Sequence, residues 1–408
     1  MTKTIAILAT LDTKGDECAY LRDEIIRLGA TPFLIDISVV GDAELTADIS
    51  AAEVADAGGT SLTSLRVAPS REVASEVMVQ GAIVKMLGLI GSGDVDGVIS
   101  LGGTQGTGNC TQVMQALPYG FPKLMLSTMA SGDTSGYVGI KDITMMFSVS
   151  DILGLNPFFR TILSNAAGAI VGMADATKPI SFTPGKPVIG MTNLGVLTQG
   201  TIHAMKRLSD QGFETMVFHA VGSGGRAMEQ LMRDGIIQAV FDFALGDLMD
   251  EIGGGIRAAD KDRLTVAGAL GLPQVVVPGG TDHLGILVDE PNSIPEKYAD
   301  RKVTFHNPVI LVPRTSGEEL EQLAKTIGDR LRGATGPTHV LAPTKGLSSY
   351  SVPGGPLEDK EADARLIAAL HEHVSQEVTE IDAGAEDTVF VDQAVDALLA
   401  LIAARQEA

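Results

Sequence analysis

Short, nearly uninterrupted apolar runs alternate with helical stretches from one end of this chain to the other. Runs that are apolar on both faces belong to parallel strands covered by helices on either side. In the first half they predict strands at Thr4–Thr10, Thr31–Ser38, Gly97–Leu101 and Lys123–Ser127. Helices are predicted at Glu17–Leu28, Ser70–Leu89 and Asn109–Leu117, with a further apolar helical region from Asp151 to Ala174. In the second half strands are predicted at Val188–Thr192, Thr215–Ala220, Ala239–Leu245, Gln274–Val277, Pro308–Val312 and Thr338–Ala342. Helices there cover Thr201–Gln211, Arg226–Asp234, Glu318–Leu331, Leu357–Ser375 and Thr388–Arg405. The fold class is α/β, with two Rossmann-like open-sheet subdomains of mostly parallel strands. Gly41–Val67, rich in small and polar residues with weak periodicity, reads as a long surface excursion.

The alternation breaks once, at Asp175–Pro187, where three prolines, a glycine and two lysines interrupt both periodicities. With 408 residues the chain has room for two domains. The expected division is residues 1–180, a nucleotide-binding subdomain, and 187–408, a second subdomain with a Gly-rich anion site.

Lys and Arg total 30 against 51 Asp and Glu, a net charge of −21. A phosphate backbone needs a cationic surface, so nucleic acid is excluded as the main partner, whereas a local nest of amides can still bind one nucleotide. Two cysteines, Cys18 and Cys110, are too few for a disulfide framework. The first apolar run, Ile5–Ala9, is too short for an export signal, and no long charge-free apolar stretch predicts a membrane span. The expected location is cytoplasmic.

Ligands of open α/β sheets sit at the carboxyl ends of the strands. The first strand delivers Leu11-Asp12-Thr13-Lys14-Gly15-Asp16-Glu17, a capped turn with a cation beside a helix N-terminus. The third delivers Leu101-Gly102-Gly103-Thr104-Gln105-Gly106-Thr107-Gly108, whose glycines permit close approach of backbone amides to phosphate oxygens. It is neither GxGxxG nor a Walker loop. The fourth delivers Ser127 to Tyr137, rich in hydroxyls, with Gly132 and Asp133 at its centre. In the second half, Gly222-Ser223-Gly224-Gly225-Arg226 opens a helix and reads as a carboxylate or phosphate cradle with Arg226 as counter-charge.

All seven histidines lie in the second half. His203, His371 and His373 fall on helix patterns, whereas His219, His283 and His306 fall near strand ends. A pair such as His219 and His283, with Asp282 or Glu251, has the residue types for acid and base. No short metal-binding spacing occurs, and no metal is assigned. The terminal helix carries an apolar face (Val391, Val395, Leu398, Leu399, Ile402) suited to its own core or to another subunit.

Several long stretches resemble the ATP-binding family named after the tomato mosaic virus resistance protein. They are TLDTKGDE (Thr10–Glu17), LGGTQGTG (Leu101–Gly108), STMASGDTSGYVGIKDITMM (Ser127–Met146), SVSDILGLNPFFRTILSNAAGAIVGM (Ser148–Met173), GMTNLGVLTQG (Gly190–Gly200), FHAVGSGGRAMEQL (Phe218–Leu231), PQVVVPGGTDH (Pro273–His283) and SSYSVPGGPLEDKEAD (Ser348–Asp363). The resemblance implies two α/β subdomains, a homodimer, and ATP, with magnesium, bound by the first subdomain. Turn chemistry places the nucleotide on Asp12, Thr13, Lys14, Gly102, Gly103, Thr104, Gly106, Thr107, Gly132 and Asp133, and a further anion on Gly222, Ser223, Gly224 and Gly225. Phe241–Gly255 lacks the threonine-rich stretch expected in relatives, so no substrate chemistry is carried through it. The plant relative continues into a barrel-type domain, which here would be a separate partner protein. The leading expectation is an ATP-binding cytoplasmic protein, a component acting on a small carboxylated metabolite. The alternatives are a hydrolase or lyase using His219, His283, Asp282 and Arg226, and a non-catalytic subunit of a complex with the barrel partner.

Overall fold

The computed structural model describes residues 2–67 and 70–407, and the chain divides into two compact units, Met1–Ser181 and Phe182–Ala408. The boundary falls inside the proline-rich stretch.

The first unit is built on five parallel strands, β1 (Thr4–Ala9), β2 (Thr31–Asp36), β3 (Gly97–Gly102), β4 (Lys123–Ser127) and β5 (Thr144–Phe147), in the order β2-β1-β3-β4-β5. Alternate side chains of the strands feed two cores. Ile5, Ile7, Ile99, Leu124 and Leu126 pack with the helices Leu11–Arg27 and Pro157–Ala176. Ala6, Leu8, Val98 and Met125 pack on the other face with Ala51–Ala57, Arg71–Ser92 and Thr104–Ala116. Burying both faces is why these strands read as unbroken apolar runs.

The excursion expected at Gly41–Val67 is corrected by the structure. It contains two helices, Ala51–Ala57 and Leu62–Val67, and Ile49, Val54, Ala55 and Leu65 are buried in the core. Ser50 and Glu53 form a capping box that starts the first of them. Its partner helix crosses through glycine: a Cβ on Gly81 would stand 1.9 Å from the Val54 carbonyl oxygen, and one on Gly58 2.2 Å from that of Val77. Arg71–Ser92 is also the one helix among the described residues long and apolar enough to cross a membrane, by length and composition only. Ala74, Met78, Val79, Ala82 and Met86 place one side of it in the core.

The second unit carries six parallel strands, β6 (Val188–Asn193), β7 (Glu214–His219), β8 (Ala239–Ala244), β9 (Gln274–Gly279), β13 (Thr338–Pro343) and β14 (Glu377–Ile381), in the order β14-β13-β9-β8-β6-β7. Between β9 and β13 the chain forms a small antiparallel sheet of β10 (Ile286–Leu287), β11 (Val303–Asn307) and β12 (Ile310–Pro313). The strand expected at Pro308–Val312 is therefore β12, outside the main sheet. The terminal helix, Thr388–Glu407, buries Phe390, Val391, Ala394, Val395 and Leu398 in its own unit's core, with Leu399 and Ile402 packed against it.

Candidate functional site

In both sheets the first strand and the third in chain order lie side by side, so their connections leave toward opposite edges. This is the topological switch point at which open α/β sheets hold ligands. In the first unit it falls between the carboxyl ends of β1 and β3, and β4 delivers the third Gly- and hydroxyl-rich turn next to them.

The three turns meet different fates. After β1 the helix begins at Leu11, six residues earlier than expected, with a non-helical residue at Lys14. The Leu11 amide donates to Asp36 Oδ1 at 3.2 Å and the Asp12 amide to Ser38 Oγ at 3.0 Å. Asp12 turns its Oδ2 to the Gly41 amide, 3.0 Å away, and the hydroxyls of Thr10 and Thr13 lie 3.0 Å apart. Lys14 donates its Nζ to the Ile152 carbonyl at 2.5 Å, and Glu17 accepts from the Gly154 amide at 2.7 Å. The segment after β5 thus runs back to the first helix, and Lys14 is tied to it. Within that segment Val149 has a φ of 63° and is 59% exposed, a strained setting for a β-branched residue.

After β3, Gly103 precedes the helix Thr104–Ala116 and offers no side chain to cap it. Gly102 is used for packing, since a Cβ there would stand 3.0 Å from Gly106 Cα. Gly103 and Gly106 are not: the nearest atoms to a Cβ would be Thr128 Oγ1 at 3.9 Å and the Leu101 carbonyl oxygen at 3.8 Å. Open space therefore lies beside the first turn, whose amides no side chain caps. Thr104 is exposed, whereas Thr107 is fully buried, donating toward the Gly102 carbonyl at 3.3 Å and sharing its hydroxyl with Ser127 Oγ at 2.6 Å, so it ties the helix to the ends of β3 and β4 and cannot meet a ligand. Gly132 and Asp133 are exposed in the turn after β4, where the Ser135 amide donates to Asp133 and holds its carboxyl below the ordinary value.

In the second unit the glycines of GSGGR are filled by the protein itself. A Cβ on Gly222 would stand 2.2 Å from the Ala258 carbonyl oxygen, and one on Gly224 2.0 Å from that of His219. A Cβ on Gly225 would stand 3.0 Å from Arg263 and Asp247. Ser223 is exposed. Arg226 is also exposed, donating to the Gly222 carbonyl at 3.3 Å with Asp260 at 3.9 Å, and does not join the histidines. Glu251 pairs instead with Arg330 at 2.7 Å.

His283 is buried and both its ring nitrogens are engaged. Asp282 Oδ1 lies 2.9 Å from Nδ1 and Arg257 Nη1 lies 3.2 Å from Nε2. A carboxylate accepts and a guanidinium donates, so the proton belongs on Nδ1. Ser348 Oγ donates to the other Asp282 oxygen at 2.6 Å. Burial alone would raise Asp282, but His283, Ser348 and Arg314 outweigh it and keep the carboxylate ionised. Serine bonds the aspartate rather than the imidazole, so this is not the arrangement of a serine nucleophile. His219, at the end of β7, shares no hydrogen bond with His283 among the described residues; burial, Arg257 and His306 hold it below the ordinary imidazole value.

The sequence reading missed the charged core beneath. Arg263, fully buried, donates to both oxygens of Asp242 at 2.5 and 2.7 Å and to Asp247 at 2.8 Å. Asp250 holds Arg257 by both oxygens at 2.8 and 2.9 Å. All three aspartates come from Phe241–Gly255. The legible signal was acidic residues at intervals inside an apolar run. Among the described residues no three His, Cys, Asp or Glu side chains gather as a metal site.

Sequence comparison places these features in a family. The profile for the N-terminal domain of the uncharacterised protein family UPF0261 matches residues 3–179, and that for its C-terminal domain matches residues 186–402. A UPF0261 protein of Clostridium tetani is 41% identical over 381 residues, covering 93% of this chain and 94% of its own. The ToMV resistance protein Tm-1(GCR237) of Solanum lycopersicum is 37% identical over 278 residues, covering 67% of this chain and 37% of its own. Among solved structures, MurG of Acinetobacter baumannii aligns over 98% of this chain and 100% of its own, at 12% identity and a TM-score of 0.25. With both of its units matched, the chain belongs to the UPF0261 family.

Proposed function

We propose that the first unit binds ATP, with magnesium, at the carboxyl end of its sheet, and that the protein is a cytoplasmic ATP-binding component. The observation that carries this is the contrast between its glycines. Those of GSGGR are consumed by packing, whereas Gly103 and Gly106 leave space beside uncapped first-turn amides at the switch point. Amides converging at a helix N-terminus suit a phosphate chain, and the positive end of the helix adds to them. The resemblance of LDTK, LGGTQGTG and the Ser127 turn to an ATP-binding family supports the choice of nucleotide. In this reading Gly103, Thr104 and Gly106 hold phosphate, and Thr13, Gly132 and Asp133 line the same mouth. Asp12 orders the loop at Gly41, and Lys14 supplies positive charge from its place on the Ile152 carbonyl.

Isothermal titration with MgATP tests it. The parent protein gives saturable heat, and Gly103→Ala and Gly106→Ala lose affinity with no fall in melting temperature, because their Cβ atoms come no closer than 3.8 Å to the protein and alanine is the better helix former. No heat at millimolar MgATP, or parental affinity in both variants, overturns the proposal. Light scattering of the same samples tests the homodimer.

A further inference from the structure

We propose that Arg257, held in place by His283, and His219 form a binding site for a small oxyanion, a carboxylate or phosphoryl group, at the carboxyl end of the second unit's sheet. The site is independent of nucleotide binding by the first unit.

Close glycine packing assembles it. The Gly222 amide donates to the Arg257 carbonyl at 2.8 Å, and Gly224 lies against the His219 carbonyl. The first turn of the helix Gly222–Arg233 therefore fixes the backbones of both residues beside each other.

Arg257 is immobilised but incompletely satisfied. A guanidinium has five N–H donors. Nε and Nη2 grip the two oxygens of Asp250, Nη2 also reaches the His283 carbonyl at 3.2 Å, and Nη1 donates to His283 Nε2. One Nη1 donor is left without an acceptor among the described residues. Asp250 is itself fixed, accepting from the amides of Arg257 and Gly285 at 3.0 Å each. His283 is fixed by Asp282, and Asp282 by Ser348. This chain of partners orients one guanidinium at the strand ends.

His219 lies beside the same turn, exposed at the end of β7, and its ring has no hydrogen-bond partner among the described residues. Burial, and then Arg257 and His306, disfavour its protonated form. An oxyanion placed there accepts from the spare Arg257 donor and from the His219 ring, and it favours the protonated form of that ring.

The experiment uses the full chain with histidine side chains isotopically labelled, titrated with inorganic phosphate and separately with malonate at constant ionic strength and pH. The expected result is a saturable shift of the His219 resonance, and the tighter probe identifies the headgroup. His219→Gln should weaken binding about tenfold, the loss of one charge-assisted hydrogen bond. His203→Gln, which alters a distant pair with Asp392, should bind like the parent. No saturable shift up to tens of millimolar, parental affinity in His219→Gln, or equal weakening in His203→Gln overturns the proposal. MgATP titrations of His219→Gln keep this outcome separate from that of the nucleotide reading.

Discussion

Replacing Glu229 by Gln should flatten the pH dependence of the second unit's stability between about pH 4.5 and 7. Glu229 sits on the helix Gly222–Arg233, 2% exposed, beside the Arg263 network, and accepts the Leu264 amide at 2.9 Å. Burial pushes its carboxyl up to about 7 from 4.5; Asp242 and Asp260 add to this, while Arg263 and the Leu264 amide oppose it. A raised folded value means that the unfolded chain loses its proton first. The stabilisation is therefore complete below about pH 4.5 and is lost progressively as pH rises to about 7, beyond which it is gone. The interval corresponds to ~3 kcal/mol. For a domain of this size that is a fall of roughly 6–12 °C in melting temperature. Gln keeps the oxygen that receives the Leu264 amide and cannot ionise. Near pH 5 the variant should match the parent within about 1 kcal/mol, and near pH 8.5 it should exceed it by ~2–3 kcal/mol. Urea unfolding of both proteins at half-unit steps from pH 5 to 9 measures the difference. Parallel profiles would show that Glu229 ionises in the folded protein at no cost, and would refute the reasoning.

Two further outcomes follow from backbone geometry. Val149→Gly should stabilise the first unit by about 1 kcal/mol, because a left-handed conformation costs a β-branched residue more than glycine's entropy takes back and Val149 buries little surface; a melting temperature below the parent's would contradict this. Gly224→Ala should destabilise the second unit by at least ~2 kcal/mol, since its Cβ would stand 2.0 Å from the His219 carbonyl oxygen; a parental unfolding curve would show that the helix shifts freely.

The main strands were legible because burial on both faces writes itself as an unbroken apolar run, as in β1 (TIAILA) or β9 (QVVVPG). Strands that lack this signal were missed. β14 (EVTEI) lies at the edge of its sheet and keeps two glutamates exposed, and β5 (TMMF) is a four-residue edge strand. The helix Ala51–Ala57 was hidden by its composition. Ala, Val and Asp in a seven-residue helix give too few apolar turns to establish a period, although the Ser50/Glu53 cap was present in the sequence.

The candidate sites divide along a different line. Sequence shows which backbone positions are glycine, but not whether the vacant Cβ volume belongs to the protein or to a ligand. LGGTQGTG and GSGGR are alike as strings, each Gly-rich, each following a strand and opening a helix. In the first, Gly102 alone is needed for packing; in the second, Gly222, Gly224 and Gly225 all are. The same limit applies to charge. Arg226 stands in the motif, yet the guanidinium that reaches His283 is Arg257, thirty-one positions on by the numbering and brought there by the carbonyl that receives Gly222. A glycine-rich turn can therefore position a site's side chains through close packing while binding nothing with its own amides.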